Sequence, residues 1–177
     1  MTSSRTFRQK FGVFARNLLV FFIFFYSLSF AMDYWRGKSL PVGNIPETIY
    51  LDTLNNTIDL TQLSRDEITI VYFWATWCGP CKVTSPSIKQ LAKSYPVVSV
   101  AMASGESDEI EQYFYKGDTS STRIPIINDD DQVISKQWGV HVTPTILFIK
   151  NGKILGYTTG ISGYPSLWLR AWWLNKD

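Results

Sequence analysis

The apolar positions of the chain change period along its length. "EITIVYFWA" (67–75) and "PVVSVAMA" (96–103) are nearly unbroken β-branched, aromatic and small apolar runs, the pattern of strands buried on both faces. Between them, from Pro80 to Tyr95, Val83, Ile88, Leu91, Ala92 and Tyr95 recur near helical spacing, with a kink expected at Pro86. "SDEIEQYFYK" (107–116) predicts a helix opened by a capping Ser107 and an acidic first turn. "RIPIIND" (123–129) predicts a short strand running into an acidic turn, and "QVISKQWG" (132–139) a short helix ending at Gly139. Asn151-Gly152 separates two strand patterns within 143–160 and is the two-residue turn of a β-hairpin. "YPSLWLRAWWL" (164–174) predicts a last helix with Pro165 near its start. Upstream, "ETIYLDTLNNTIDL" (47–60) reads as two short strands around Asn55-Asn56.

Strands and helices therefore alternate from 67 to about 145, and a hairpin and a helix close the chain. That order predicts an α/β domain with a mixed sheet. Arg36–Pro46, with two prolines and two glycines, reads as a linker. Before it, Leu18–Met32 (LLVFFIFFYSLSFAM) holds no ionisable group except Tyr26, with four basic residues ahead of it and Tyr34-Trp35 behind. Basic residues stay on the cytoplasmic side, so the chain beyond Met32 is expected outside the cytoplasm. The segment reads as a retained membrane anchor, spanning roughly residues 13–35 once its interfacial flanks are included. Ser29-Phe30-Ala31 keeps a cleaved signal peptide as the alternative. The division expected is 1–36 cytoplasmic tail and anchor or signal peptide, 37–46 linker, and 47–177 folded domain.

Charge supports this division. Of 17 basic and 15 acidic residues, Arg5, Arg8, Lys10, Arg16, Arg36 and Asp33 lie in 1–36. The remaining 141 residues thus hold 12 basic and 14 acidic groups, a mildly acidic body with no basic stripe for nucleic acid. At 45% hydrophobic and 18% charged, the composition is that of a folded protein.

Both cysteines lie in "WATWCGPCKVTSP" (74–86). An intramolecular zinc site needs four ligands, and His141 is the only histidine. Haem attachment needs a histidine where Lys82 stands. A structural disulfide and a redox dithiol remain. A loop of two residues removes little chain entropy, which weakens the structural reading. The redox reading has a physical logic. Cys78 sits where a buried strand gives way to a helix, whose N-terminal N–H groups and dipole favour a thiolate. Cys81, one turn on, can attack the mixed disulfide that forms there. Gly79 and Pro80 allow a tight approach, and Trp77 covers the exposed side.

"FWATWCGPCK" with Pro86, followed about 60 residues later by "VTPTILFIKNGK", resembles the thioredoxin-fold proteins. With the anchor, the N-terminal hairpin and the helix-containing insertion at about 104–130, the chain is similar to the membrane-anchored, exported TlpA/ResA/DsbE group. Within that group it looks most like the copper-sensitivity suppressor protein D branch. The resemblance covers about residues 40–177. It implies a thioredoxin fold and thiol:disulfide oxidoreductase activity, with Cys78 as nucleophile and Cys81 as resolving thiol. It implies a cis Pro144, with the Thr143 backbone pairing to an extended substrate. It implies no dissociable cofactor, the redox-active disulfide Cys78–Cys81 carrying the electrons. Partners implied are exported protein thiols and disulfides, a membrane thiol-electron donor, and the membrane itself through the N-terminal helix. Reductase is the expected direction, with oxidase or isomerase, or a non-catalytic binding module, as alternatives. The place expected is the bacterial inner membrane, single-pass, with the domain in the periplasm.

Two positions depart from the pattern. Cytoplasmic thioredoxins have a buried Asp where this chain has Tyr72, and the TlpA/ResA group often has a Glu where it has Thr84. No general base for the buried thiol is named. Of the remaining candidates, Trp74 reads as core and Trp77 as a surface contact. His141 and Lys82 read as solvated, each with tuning of the thiolate as its alternative. Asp129-Asp130-Asp131 reads as a solvated turn before a calcium site. Trp168, Trp172 and Trp173 are expected to pack the last helix against the sheet, with contact to a partner or the bilayer as the alternative.

Overall fold

In the computed structural model, residues 12–14, 16–21, 23–24, 43–46, 49–117 and 122–176 are described. The chain divides into two units, Met1–Lys38 and Ser39–Asp177. In the first, the described residues are helical, and their apolar side chains, among them Phe14, Leu19 and Ile23, are exposed. Among the described residues no helix is long and apolar enough to cross a membrane. Much of the expected anchor, from residue 25 onward, lies outside the described residues.

The second unit is built on a six-stranded sheet, ordered β1-β8-β7-β4-β5-β6. Its strands are β1 (Gly43–Asn44), β4 (Thr69–Trp74), β5 (Val97–Met102), β6 (Ile126–Asp129), β7 (Thr145–Lys150) and β8 (Lys153–Thr159). β4, β5 and β6 are parallel, while β7, β8 and β1 are antiparallel to their neighbours, so the sheet is mixed. A separate hairpin pairs β2 (Ile49–Leu51) with β3 (Thr57–Asp59). Gly43 and Asn44 pair with Ile154 and Lys153, so the sheet edge begins inside the stretch read as linker.

Every residue of β4 and β5 is buried, because both faces of the sheet are covered. Successive strand side chains point to opposite faces. Ile70, Tyr72 and Trp74 therefore join one core with Ile146 and Phe148 of β7. Three helices close it: α2 (Gly79–Leu91), α3 (Ser107–Tyr115) and α5 (Tyr164–Asn175). Val71 and Phe73 join the other core, closed by Tyr50 and Ile58 of the hairpin, by Leu60, and by Trp138 after α4 (Val133–Gln137). Full burial of one such large apolar side chain stabilises by about 1.5–3 kcal/mol.

Four local expectations change. Leu60 leaves the strand pattern to open a one-turn helix, α1 (Leu60–Leu63), because the Asp59 carboxylate accepts the Thr61 and Gln62 amides at 2.9 and 3.1 Å. Ser107 is not the cap of α3. Glu106 holds that place without a side-chain bond, and the Ser107 hydroxyl accepts from Asn128 Nδ2 at 3.3 Å. In α5 the buried stripe is Leu167 and Ala171, with Leu174 packed beside them. Trp168 and Trp172, each one position further round the helix, stack on each other 6.2 Å apart at the surface, and Trp173 is 64% exposed. The three consecutive acids form a turn that is solvated only in part, with Asp130 and Asp131 exposed and Asp129 buried. Buried Asp129 accepts the Ile134 and Ser135 amides, both at 2.8 Å, while Asp130 and Asp131 accept those of Gly105 and Val133.

Candidate active site

β4 ends at Trp74, and four residues later the chain enters α2 at its N-cap, Cys78. Cys78 has extended backbone dihedrals (φ −79°, ψ 105°), and its sulfur accepts the Cys81 amide at 3.2 Å. That amide is one of the helix's N-terminal donors with no intrahelical partner. Pro80, in the first turn, has no amide to satisfy. Cys78 and Cys81 are joined as a disulfide, S–S 2.03 Å with Cα atoms 5.3 Å apart, and both are almost fully buried. On reduction, the bond donated to Cys78 Sγ and the end of a 13-residue helix dipole both favour negative charge at that sulfur.

Trp77, the residue before Cys78, is 67% exposed. It is held in place. Its Nε1 donates to the Ala103 carbonyl at 2.9 Å, and the Thr76 amide donates to Ser104 Oγ at 3.1 Å. Ala103 has positive φ (42°), so the loop after β5 is bent to meet the cysteine loop. That anchorage has no signature in the sequence beyond the small residues 103–105. Gly79 is not crowded: a Cβ built there meets nothing within 4 Å, so packing inside the chain does not require glycine.

The Thr143–Pro144 peptide is cis. Thr145 is registered opposite Phe73, which puts residues 143–144 at the end of the sheet where β4 runs towards Cys78. The loop is fixed by Gly160 N–H donating to the Pro144 carbonyl at 2.9 Å and by Thr145 Oγ1 donating to the Val142 carbonyl at 2.8 Å. His141 and Lys82 are exposed.

The two positions without carboxylates are both buried and both occupied. Tyr72 lies under α2, its hydroxyl 3.0 Å from Ser85 Oγ and 3.4 Å from the Cys81 carbonyl, to which it donates. Burial pushes that hydroxyl far above the ordinary tyrosine value, against the opposing bond to Ser85, so it stays neutral and does not act as a base. Thr84 Oγ1 accepts the Ser162 amide at 3.3 Å, tying α2 to the segment before α5. Trp74 is core, as expected, stacked on Tyr113 and tilted against Phe114. Among the described residues, no three His, Cys, Asp or Glu side chains gather as a metal site.

A parallel β4–β5–β6 core, an antiparallel β7–β8 hairpin, a cysteine pair at the first turn of α2 and a cis proline at the same sheet end together define a thioredoxin-type disulfide exchanger. The thioredoxin family profile matches residues 51–167, and the chain belongs to that family of disulfide oxidoreductases. It is 36% identical over 156 residues to a thioredoxin-like protein of Haemophilus influenzae, covering 88% of this chain and 91% of that one. Its fold is similar to that of a secreted Mycobacterium tuberculosis disulfide oxidoreductase (TM-score 0.60, 20% identity, 71% of this chain and 95% of that one). It is also similar to StoA from Bacillus subtilis (TM-score 0.52, 22% identity, 70% and 96%).

Proposed function

We propose that this chain is a membrane-tethered reductase of protein disulfides outside the cytoplasm, of the copper-sensitivity suppressor branch of the TlpA/ResA/DsbE group. The observation that carries the chemistry is the disulfide at the N-cap of α2, with the Cys81 amide donating to Cys78 Sγ. In the reduced protein the Cys78 thiolate attacks one sulfur of a substrate disulfide, and the other leaves as a thiolate. Cys81 then gives up its proton and attacks Cys78 Sγ. The substrate's second sulfur leaves, the Cys78–Cys81 bond forms, and two electrons have passed to the substrate. Trp77, Gly79 and Pro80 present the nucleophile, and the Thr143 backbone ahead of Pro144 pairs with the extended substrate strand. An upstream membrane thiol donor restores the dithiol.

The tether in this reading is the segment of roughly residues 13–35, with Leu18–Met32 as its apolar centre. The basic residues before it and the exposed apolar helix residues between 12 and 24 support a place in the inner membrane with the domain in the periplasm. In this reading residues 1–36 are the tail and tether, and the folded domain takes in Gly43 and Asn44 from the stretch expected as linker.

The deciding experiment is the reduction potential of the Cys78–Cys81 couple, equilibrated against dithiothreitol and glutathione. A value near that of thioredoxin, about −270 mV, agrees with a reductase, and a value near −120 mV makes the protein an oxidant. Cys78→Ser is expected to abolish turnover, and Cys81→Ser to trap a mixed disulfide with substrate. Full activity in Cys78→Ser would refute the assignment. Recovery of the chain lacking residues 1–31 from cells would replace the tether with a signal peptide.

A further inference from the structure

A cavity of about 370 Å³ opens against Cys81. Trp74, Tyr113 and Phe114 give it an aromatic wall, and Lys82, Lys89 and Lys116 bring three positive charges. None of the described residues that line it is acidic. The domain as a whole has the opposite sign, with 14 acidic and 12 basic residues in 37–177, so the cavity is a local reversal of charge beside the redox centre. Lys89 is held against the wall, donating to the Phe114 carbonyl with its ammonium 4.8 Å from the Phe114 ring centroid. Lys82 and Lys116 are exposed at the rim.

A second, independent feature marks the same place. Trp74 is 1% exposed, and its Nε1 is buried without a hydrogen-bond partner. A buried indole N–H ordinarily has one. That donor lies behind the cavity wall, closed off from it, and the rim holds cations. A carboxylate complements the cations. The aromatic wall suits the hydrocarbon stem and backbone of a peptide better than a bare inorganic anion.

We infer that this cavity is a subsite for an acidic segment of the protein substrate, seated beside Cys81 while the substrate's disulfide exchanges with the cysteine pair. This rests on the oxidoreductase reading above and specifies its substrate class.

The test uses the purified full chain, reduced and freed of reductant. It is mixed with three synthetic peptides, each with one internal disulfide, flanked by glutamates, glutamines or lysines. Oxidation of the protein is followed by tryptophan fluorescence. At low ionic strength the glutamate peptide is expected to react about tenfold faster than the lysine peptide, the lower end of electrostatic steering. The ratio is expected to fall towards one in about 1 M salt, where screening is nearly complete. Lys82→Glu with Lys116→Glu is expected to reverse the order, and Lys82→Gln with Lys116→Gln to abolish the preference. Equal rates for the three peptides in the unaltered protein, or a preference that survives both double variants, overturns the subsite. A small neutral disulfide, 2-hydroxyethyl disulfide, separates the two failures. Exchange with it but no preference among peptides removes the subsite alone, whereas no exchange with any disulfide removes the oxidoreductase reading and the subsite together.

Discussion

Asp52 offers a test of the packing that holds the N-terminal hairpin to the domain. Its carboxylate is almost fully buried. Oδ1 accepts the Leu54 and Asn56 amides at 2.9 and 2.8 Å, and Oδ2 accepts Asn56 Nδ2 at 3.1 Å with Arg123 Nη1 at 3.5 Å. Arg123 also donates to Glu111 at 2.7 Å, so the guanidinium joins the hairpin turn, through Asp52, to α3 and to the chain entering β6. Hydrogen bonds to a charged group contribute about 1.5–3 kcal/mol each when buried, and the half-exposed arginine contributes less. Asp52→Ala, which deletes three of them, is expected to cost about 3–4 kcal/mol after discounting for water reaching the turn. Asp52→Asn keeps the Oδ1 acceptor and loses the charge and the Oδ2 contacts, for a cost of about 1.5 kcal/mol. Burial alone raises the Asp52 pKa, but the bonds from Asn56 and Leu54 and the nearby Arg123 outweigh it, so the folded value lies below the usual 3.8. A depressed carboxylate stabilises fully above its unfolded pKa and loses that contribution as pH falls through the folded one. The gap in urea midpoint between the unaltered protein and Asp52→Asn is therefore expected to be constant from pH 7 to about 5 and to close below about pH 4. Urea is the denaturant of choice because it does not screen charge. A gap that persists unchanged to pH 2, or widens with acid, refutes the reasoning.

Two further predictions concern the buried positions beside the cysteines. Thr84→Val keeps the shape and deletes the acceptor of the Ser162 amide. It is expected to lower stability by about 1–2 kcal/mol in urea denaturation of the oxidised protein, and no loss would mean that water reaches Ser162. Tyr72→Phe is expected to cost about 1 kcal/mol through Ser85, and to leave the pH dependence of disulfide exchange in place. A displaced pH–rate profile would make the hydroxyl a proton carrier, against the argument from its burial.

What the sequence made legible was whatever depends on neighbours along the chain. The hairpin at Asn151-Gly152 was readable because both residues adopt positive φ, 52° and 69°, which that dipeptide favours. β4 and β5 were readable because burial on both faces leaves no polar position to break the run. The cysteine pair and the cis proline were readable as a resemblance and took their places at one end of the sheet. The failures are of another kind. Whether Ser107 or Glu106 caps α3 depends on Asn128, 21 residues away, drawing the serine hydroxyl to itself. Reading Trp168, Trp172 and Trp173 as the packed face of α5 relied on residue size. The helix instead buries Leu167 and Ala171 four positions apart, and a rotation of one residue leaves the indoles outside. The lysine cavity was invisible because α2 supplies Lys82 and Lys89 and the end of α3 supplies Lys116, which only the fold brings together.

The fate of the proton on Cys81 ties these observations together. In the resolving step that thiol must ionise, and a buried carboxylate beneath it would be the obvious acceptor. Both positions where one is found in similar proteins are filled by hydroxyl groups already spent on structure: Tyr72 towards Ser85 and the Cys81 carbonyl, Thr84 towards the Ser162 amide. Neither accepts a proton near neutral pH, and Tyr72 is held further from ionisation by its burial. What remains next to Cys81 is the open cavity with its lysines, which admits water and stabilises negative charge. In the proposed reading the cavity is the route open to that proton, and a substrate carboxylate seated in the subsite would lie beside it.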